Sequence, residues 1–137
     1  MTDVALQLIE TQAAHPARGR VPVSLYAIVA DGLAVGRIVL RHGHDDTLRL
    51  YARQVGYAVD PAHRGHGHAA AALMTLRPIA LAAGFTELWI ACAPDHRASR
   101  RTLEKAGAVF VETVDLPPSS DMYARGERRT CRYRLDL

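Results

Sequence analysis

Gly56-Tyr57-Ala58-Val59-Asp60-Pro61-Ala62-His63-Arg64-Gly65-His66-Gly67-His68-Ala69 is the stretch on which the fold turns. Residues 53–60 read as a strand, which Pro61 stops; a glycine-rich loop then feeds an alanine-rich helix. At such a junction the first backbone N–H groups of the helix lack intrahelical partners. The helix dipole adds partial positive charge, so the place suits a phosphate. Gly65 and Gly67 remove Cβ atoms and let the backbone curl around an anion, while Arg64 adds a fixed charge. The loop has neither the Lys-Ser/Thr of a P-loop nor the spacing of a dinucleotide fingerprint.

Downstream, Leu73, Leu76, Ala80 and Ala83 share one face of a helix that Gly84 ends. Pro78 inside that pattern removes a backbone hydrogen bond and predicts a kink. TELWIACA (86–93) is a continuous apolar run, the pattern of a strand buried on both faces. A second helix follows, with Asp95 as its expected N-cap and Gly107 as its C′ residue. Residues 108–115 form a strand, 116–127 a long loop that is either a lid or a plain linker, and 128–137 a last strand. In that strand Cys131, Tyr133, Leu135 and Leu137 alternate with Thr130, Arg132, Arg134 and Asp136.

Upstream, VSLYAIVA (23–30) and LAVGRIVLR (33–41) flank Asp31-Gly32, a strong hairpin signal. Residues 15–22 are a breaker-rich connection and 41–47 a polar loop. Residues 3–14 set Val4 and Leu8, with Ala5 and Ile9, on one face, which predicts a short amphipathic helix. The pattern is a single mixed α/β (α+β) domain over residues 1–137.

The chain has 137 residues, 49% of them hydrophobic and 23% charged, which excludes disorder. No apolar run approaches the roughly 20 residues that span a bilayer. The N-terminal residues carry acids where a secretory signal carries bases, so the expected location is cytoplasmic, with Cys92 and Cys131 as reduced core thiols. The formal net charge is +3, and Lys105 is the only lysine among the 17 Lys and Arg. The bases scatter along the chain and only 6% of residues are aromatic, which argues against a nucleic-acid partner. No membrane partner is expected either. The clusters His42, His44, Asp45, Asp46 and His63, His66, His68 lack the paired spacing of a structural zinc site, so no metal is expected.

Arg64-Gly65-His66-Gly67-His68-Ala69 fits all three fixed positions of Gln/Arg-x-x-Gly-x-Gly/Ala, the pyrophosphate loop of the GNAT superfamily of N-acetyltransferases. His96 to Gly107 fits a second signature, Asn-x-x-Ala/Ser-x-x-x-x-Glu-x-x-Gly, with His in place of Asn. The chain therefore resembles that superfamily from residue 22 to 137. Arg41-His42 followed by Val55-Gly56-Tyr57 is similar to a branch of predicted acetyltransferases whose substrate is unassigned.

The resemblance implies a mostly antiparallel sheet flanked by helices, with a splayed central strand pair that receives the pantetheine arm of acetyl-CoA. Only about 22 residues precede the first matched strand, so the N-terminal part is expected to be shortened. Backbone groups of Ala58 and Val59 would pair with the pantetheine amides. Arg64, Gly65, His66, Gly67, His68 and Ala69 would hold the pyrophosphate, and His96 and Ser99 would flank the thioester. The implied activity is acetyl transfer to an amine of a small molecule or an exposed amino group by direct attack, with a backbone N–H near Val59 steadying the oxyanion. Many relatives carry a glutamate base where this chain has Ala58 and a tyrosine acid where it has Leu103. Base and acid are then sought among His42, Tyr57, Tyr123 and Tyr133, or in water. The same two departures support an alternative, a non-catalytic acyl-CoA-binding sensor. A homodimer paired through the C-terminal strands is a further expectation from the resemblance.

Overall fold

Asp31 and Gly32 both adopt left-handed backbone, with φ of 50° and 77°, as a two-residue type I′ hairpin turn requires. The computed structural model describes residues 3–137. Its strands are β1 (Ala5–Gln12), β2 (Val23–Ala30), β3 (Leu33–Arg41), β4 (Val55–Val59), β5 (Glu87–Cys92), β6 (Val109–Asp115) and β7 (Arg129–Asp136). Its α-helices are α1 (Asp46–Leu50), α2 (His68–Ala82), α3 (Arg97–Lys105) and α4 (Asp121–Ala124). The strands form one seven-stranded sheet in the order β1-β2-β3-β4-β5-β7-β6. All neighbours are antiparallel except β4 and β5. This is the mixed sheet that the sequence predicts, and it is mostly antiparallel as the resemblance implies.

Residues 5–12 are a strand and not the amphipathic helix expected from their spacing. Ala5 to Leu8 pair with Val29 to Tyr26, and the register then slips between Leu8 and Glu10. Val4, Leu6 and Leu8 alternate as a strand should, but the bulge shifts the period after Leu8, so Val4, Leu8 and Ile9 imitate a helical repeat. Between β1 and β2 the chain makes a single 3-10 turn, Pro16–Arg18.

α2 and α3 touch each other; α2 packs on β1 to β4 and α3 against β6. Ile28, Ile38, Leu40, Leu73, Leu76, Leu88, Ile90, Leu103 and Tyr133 are fully buried in the core. α2 continues through Pro78, whose position is exposed, as is that of Met74 one turn earlier. The hydrogen bond that Pro78 removes therefore lies on the solvent side of the helix, where water can satisfy the freed carbonyl. His96 caps α3 in place of Asp95: its Nδ1 accepts from the Ser99 N–H at 3.0 Å. Gly107, at φ 91°, follows the helix as the predicted C′ residue. The loop after β3 winds into α1, with Asp45 Oδ1 accepting from the Leu48 N–H at 2.9 Å. The long loop before β7 contains α4, capped by Ser120 Oγ. Cys92 and Cys131 face each other across β5 and β7 as buried free thiols. Among the described residues no helix is long and apolar enough to cross a membrane.

Candidate active site

β4 and β5 share one registered pair, Val55 and Ile90, and then part. Gln54 holds the closed end of this fork: its Nε2 donates to the Gly43 carbonyl and its Oε1 accepts from the Trp89 N–H, at 2.8 and 2.9 Å. Beyond it lies a cleft of about 720 Å³, lined by β4, the end of β5, the loop into α2, the first turns of α3, and Glu127.

Which backbone groups face this cleft follows from the β3–β4 ladder. The Arg41 N–H donates to the Gln54 carbonyl and the Asp60 N–H to the Val35 carbonyl, each at 2.8 Å. Antiparallel strands alternate, so Gln54, Gly56, Ala58 and Asp60 turn their polar backbone toward β3. Tyr57 and Val59 turn theirs toward the gap. Ala58 lines the cleft by its exposed position, but its N–H and C=O belong to β3.

At the mouth, Gly65 and Gly67 sit at φ of 86° and 76°. Gly67 is the N-cap of α2 and offers no side chain, so no side-chain cap satisfies the first N–H groups of a 15-residue helix. His68 is the first helical residue; its buried Nδ1 has no hydrogen-bond partner. Arg64 folds back, its Nε donating to the Val59 carbonyl at 3.0 Å. Ala69 also lines the cleft, whereas His66 is exposed at the loop tip with its ring 5.6 Å from that of His68. An uncapped helix end, two left-handed glycines and an orphaned imidazole nitrogen together fit a pyrophosphate.

Deeper in the cleft, the Tyr57 hydroxyl lies 2.9 Å from Ser99 Oγ. Burial raises the Tyr57 pKa above that of an ordinary phenol, with the Ser99 hydrogen bond opposing, so Tyr57 keeps its proton at neutral pH. His96 lines the cleft beside Ser99. Cys92 does too, but burial, helped by Cys131, pushes its thiol up to about 11. A protonated thiol is a poor nucleophile, which disfavours an acyl-cysteine route.

Three candidates lie elsewhere. His42 sits at the closed end of the fork, bonded to Ser24 Oγ at 2.7 Å and near the Phe85 ring. Tyr133 is fully buried beneath α3, its hydroxyl accepting from Arg100 Nε at 2.9 Å. Tyr123 is covered by the Arg128 guanidinium, 3.7 Å from its ring centre. None of the three lines the cleft: His42 lies beyond the end of β3, Tyr133 in the core, and Tyr123 on α4. Sequence reasoning missed Glu127, a carboxylate brought to the cleft from the loop after α4. Its only signal was an acid isolated among Arg125, Arg128 and Arg129. Among the described residues no three His, Cys, Asp or Glu side chains are grouped to hold a metal.

The fold recurs in solved structures. The microcin C7 self-immunity acetyltransferase MccE, in complex with acetyl-CoA and AMP, matches with a TM-score of 0.66 and 14% identity over 84% of this chain and 61% of that one. Mycobacterium smegmatis RimJ, in complex with CoA-disulfide, matches at 0.65 and 20%, over 88% and 55%. An acetyltransferase from Agrobacterium tumefaciens matches at 0.57 and 25%, over 84% and 60%. The chain spans about six-tenths of the length of the structures it matches. No curated protein matches its sequence. The family model described as acetyltransferase (GNAT) domain matches residues 2–109, which hold the fork, the glycine loop and both sequence signatures, so the chain belongs to the GNAT acetyltransferase family.

Proposed function

We propose that this protein is an N-acetyltransferase that uses acetyl-CoA to acetylate an amine by direct attack on the thioester. The observation that carries the reading is the fork of β4 and β5 with an uncapped, glycine-lined helix end at its mouth. Arg64, Gly65, Gly67, His68 and Ala69 would take the pyrophosphate, with His66 beside them. The gap-facing backbone of Tyr57 and Val59 would take the pantetheine amides, and the Arg64 guanidinium would have to leave the Val59 carbonyl for that pairing. Bound acetyl-CoA supplies the activated acetyl group.

The chain's own groups then divide the remaining work. Glu127 is the carboxylate lining the cleft, and it takes the proton that the attacking amine must lose. The Val59 N–H is the donor for negative charge that develops on the thioester oxygen. Tyr57, protonated and bonded to Ser99, gives a proton to the departing thiolate and regains one from solvent through Ser99. His96 keeps Ser99 in place by accepting its N–H. The high pKa of Cys92 favours direct transfer over a covalent enzyme intermediate.

Two free buried thiols suit a reducing compartment, which supports the cytoplasm as the site of action. The edge strand β6 exposes Val109, Phe110 and Val111, which supports pairing of two copies there; light scattering reads the mass.

The test is calorimetric titration with acetyl-CoA, then thiol release in the same sample against a panel of amines. Binding near one per chain with amine-dependent release supports the enzyme. Binding without release supports the sensor, and no binding removes the reading. Arg64→Ala or Gly67→Asp weakens the titration, and unchanged affinity in both would remove the pyrophosphate assignment.

A further inference from the structure

α2 and the core side chains occupy one face of the sheet. On the other face, β3 and β4 present the alternate residues Arg37, Val39, Arg41, Gly56 and Ala58. Gly56 and Ala58 also line the cleft, so its opening reaches this face between small residues. Arg37 is exposed directly across from Ala58. Val39 lies across Gly56, and the Arg41 side chain reaches back over the same glycine, its Nη1 3.7 Å from the point a Cβ there would occupy. That nitrogen donates to the Arg53 carbonyl at 2.8 Å.

The charges here are not neutralised. Among the described residues no carboxylate lies within ion-pair distance of Arg37, Arg41 or Arg53. Burial, with the like charge of Arg53, depresses the Arg41 pKa. A half-buried guanidinium held beside a second cation is a standing demand for an anion. The acid at the cleft, Glu127, would instead attract an ammonium group.

We propose that the acceptor is a small amine that also carries an anionic group, a carboxylate or a phosphate, which Arg37 and Arg41 hold on the open face of the sheet while its amine meets Glu127. This rests on the acetyl-transfer reading and names its substrate class. A planar guanidinium can grip either anion through two parallel hydrogen bonds, and the small, exposed Ala58 leaves room beside Arg37.

The experiment compares matched amines in the thiol-release assay: aspartate with asparagine, glutamate with glutamine, and phosphoethanolamine with ethanolamine. The expected result is that the anionic member of at least one pair is preferred at least tenfold in kcat/KM; the first two pairs report carboxylate and the third phosphate. Arg37→Gln and Arg41→Gln should each reduce that preference about tenfold, through KM, the size of one charge-assisted contact. Arg37→Lys should recover part of it. Arg37 is exposed, so its variants should fold, and acetyl-CoA titration checks this. Equal or better use of the neutral members overturns the proposal while leaving acetyl transfer standing, and so does an unaltered preference in both Gln variants. Acetyl-CoA binding with no release from any amine overturns the transfer reading and this proposal with it.

Discussion

The Tyr57 hydroxyl and Ser99 Oγ stand 2.9 Å apart, joining the splayed strand to the first turn of α3 inside the cleft. A phenol kept protonated by burial and linked to a second hydroxyl is suited to donating a proton. Tyr57→Phe should lower kcat by about a hundredfold, the lower end of what a positioned acid contributes. Ser99→Ala should lower it about tenfold, and the double variant should fall no further than Tyr57→Phe, because the two act as one unit. Steady-state kinetics on the three variants checks this; multiplicative losses would mean that the hydroxyls act separately.

Stability should decline on the alkaline side through Cys92. Its thiol titrates at about 11 in the fold, against 9.0 for an ordinary thiol on the same scale. Between those values the unfolded chain has lost the proton that the native chain retains, so rising pH favours unfolding. The contribution is complete below pH 9 and is lost on approaching pH 11; the difference between the two values corresponds to about 2.7 kcal/mol, which solvent screening reduces. Urea denaturation from pH 8 to 11 should show a steeper decline for the native chain than for Cys92→Ala. Parallel curves would refute the shift.

Gly36→Ala should damage both stability and the cleft. A Cβ at Gly36 would overlap the Ala58 carbonyl oxygen and come within 2.9 Å of Val59 Cα, both backbone atoms that cannot rotate away. The ladder must widen, at a cost of about 2 kcal/mol or more. Val59 shifts with it, so acetyl-CoA affinity should fall as well. Melting temperature and titration read the two effects, and a variant indistinguishable in both would contradict the close approach.

Gln54→Leu should cost about 3 kcal/mol. It leaves the buried Trp89 N–H and Gly43 carbonyl without partners, and each orphan is worth about 1–3 kcal/mol. Chemical denaturation measures the loss; a change below about 1 kcal/mol would show that water replaces the side chain.

The hairpin, the glycine loop and the second signature were legible because each depends on local backbone demands that residue identity states directly. Asp31-Gly32 needs left-handed φ, and Gly65 and Gly67 need it again. β1 was not legible, because the bulge at Leu8 and Glu10 disguises its period and only pairing with β2 makes it a strand. For Tyr57, strand alternation left the gap and the core equally open, and the contact with Ser99 in the cleft came only with the fold. His42 looked equivalent by chemistry, yet sheet topology carries it to the far end of the same strands. Glu127 was invisible for the converse reason: its position depends on how residues 116–128 fold back, which no local pattern encodes.

The short contact of Ile90 with Val55 and Arg53 makes the sheet, mechanically, two panels joined along a seam. One panel holds four strands and the other three, and the Gln54 side chain supplements the bridges at Ile90 between them. A molecule lying in the seam acts as a rivet, sharing hydrogen bonds with one panel and packing against the other. Saturation with acetyl-CoA should therefore slow amide exchange on both sides of the seam together, turning two loosely coupled panels into one cooperative unit.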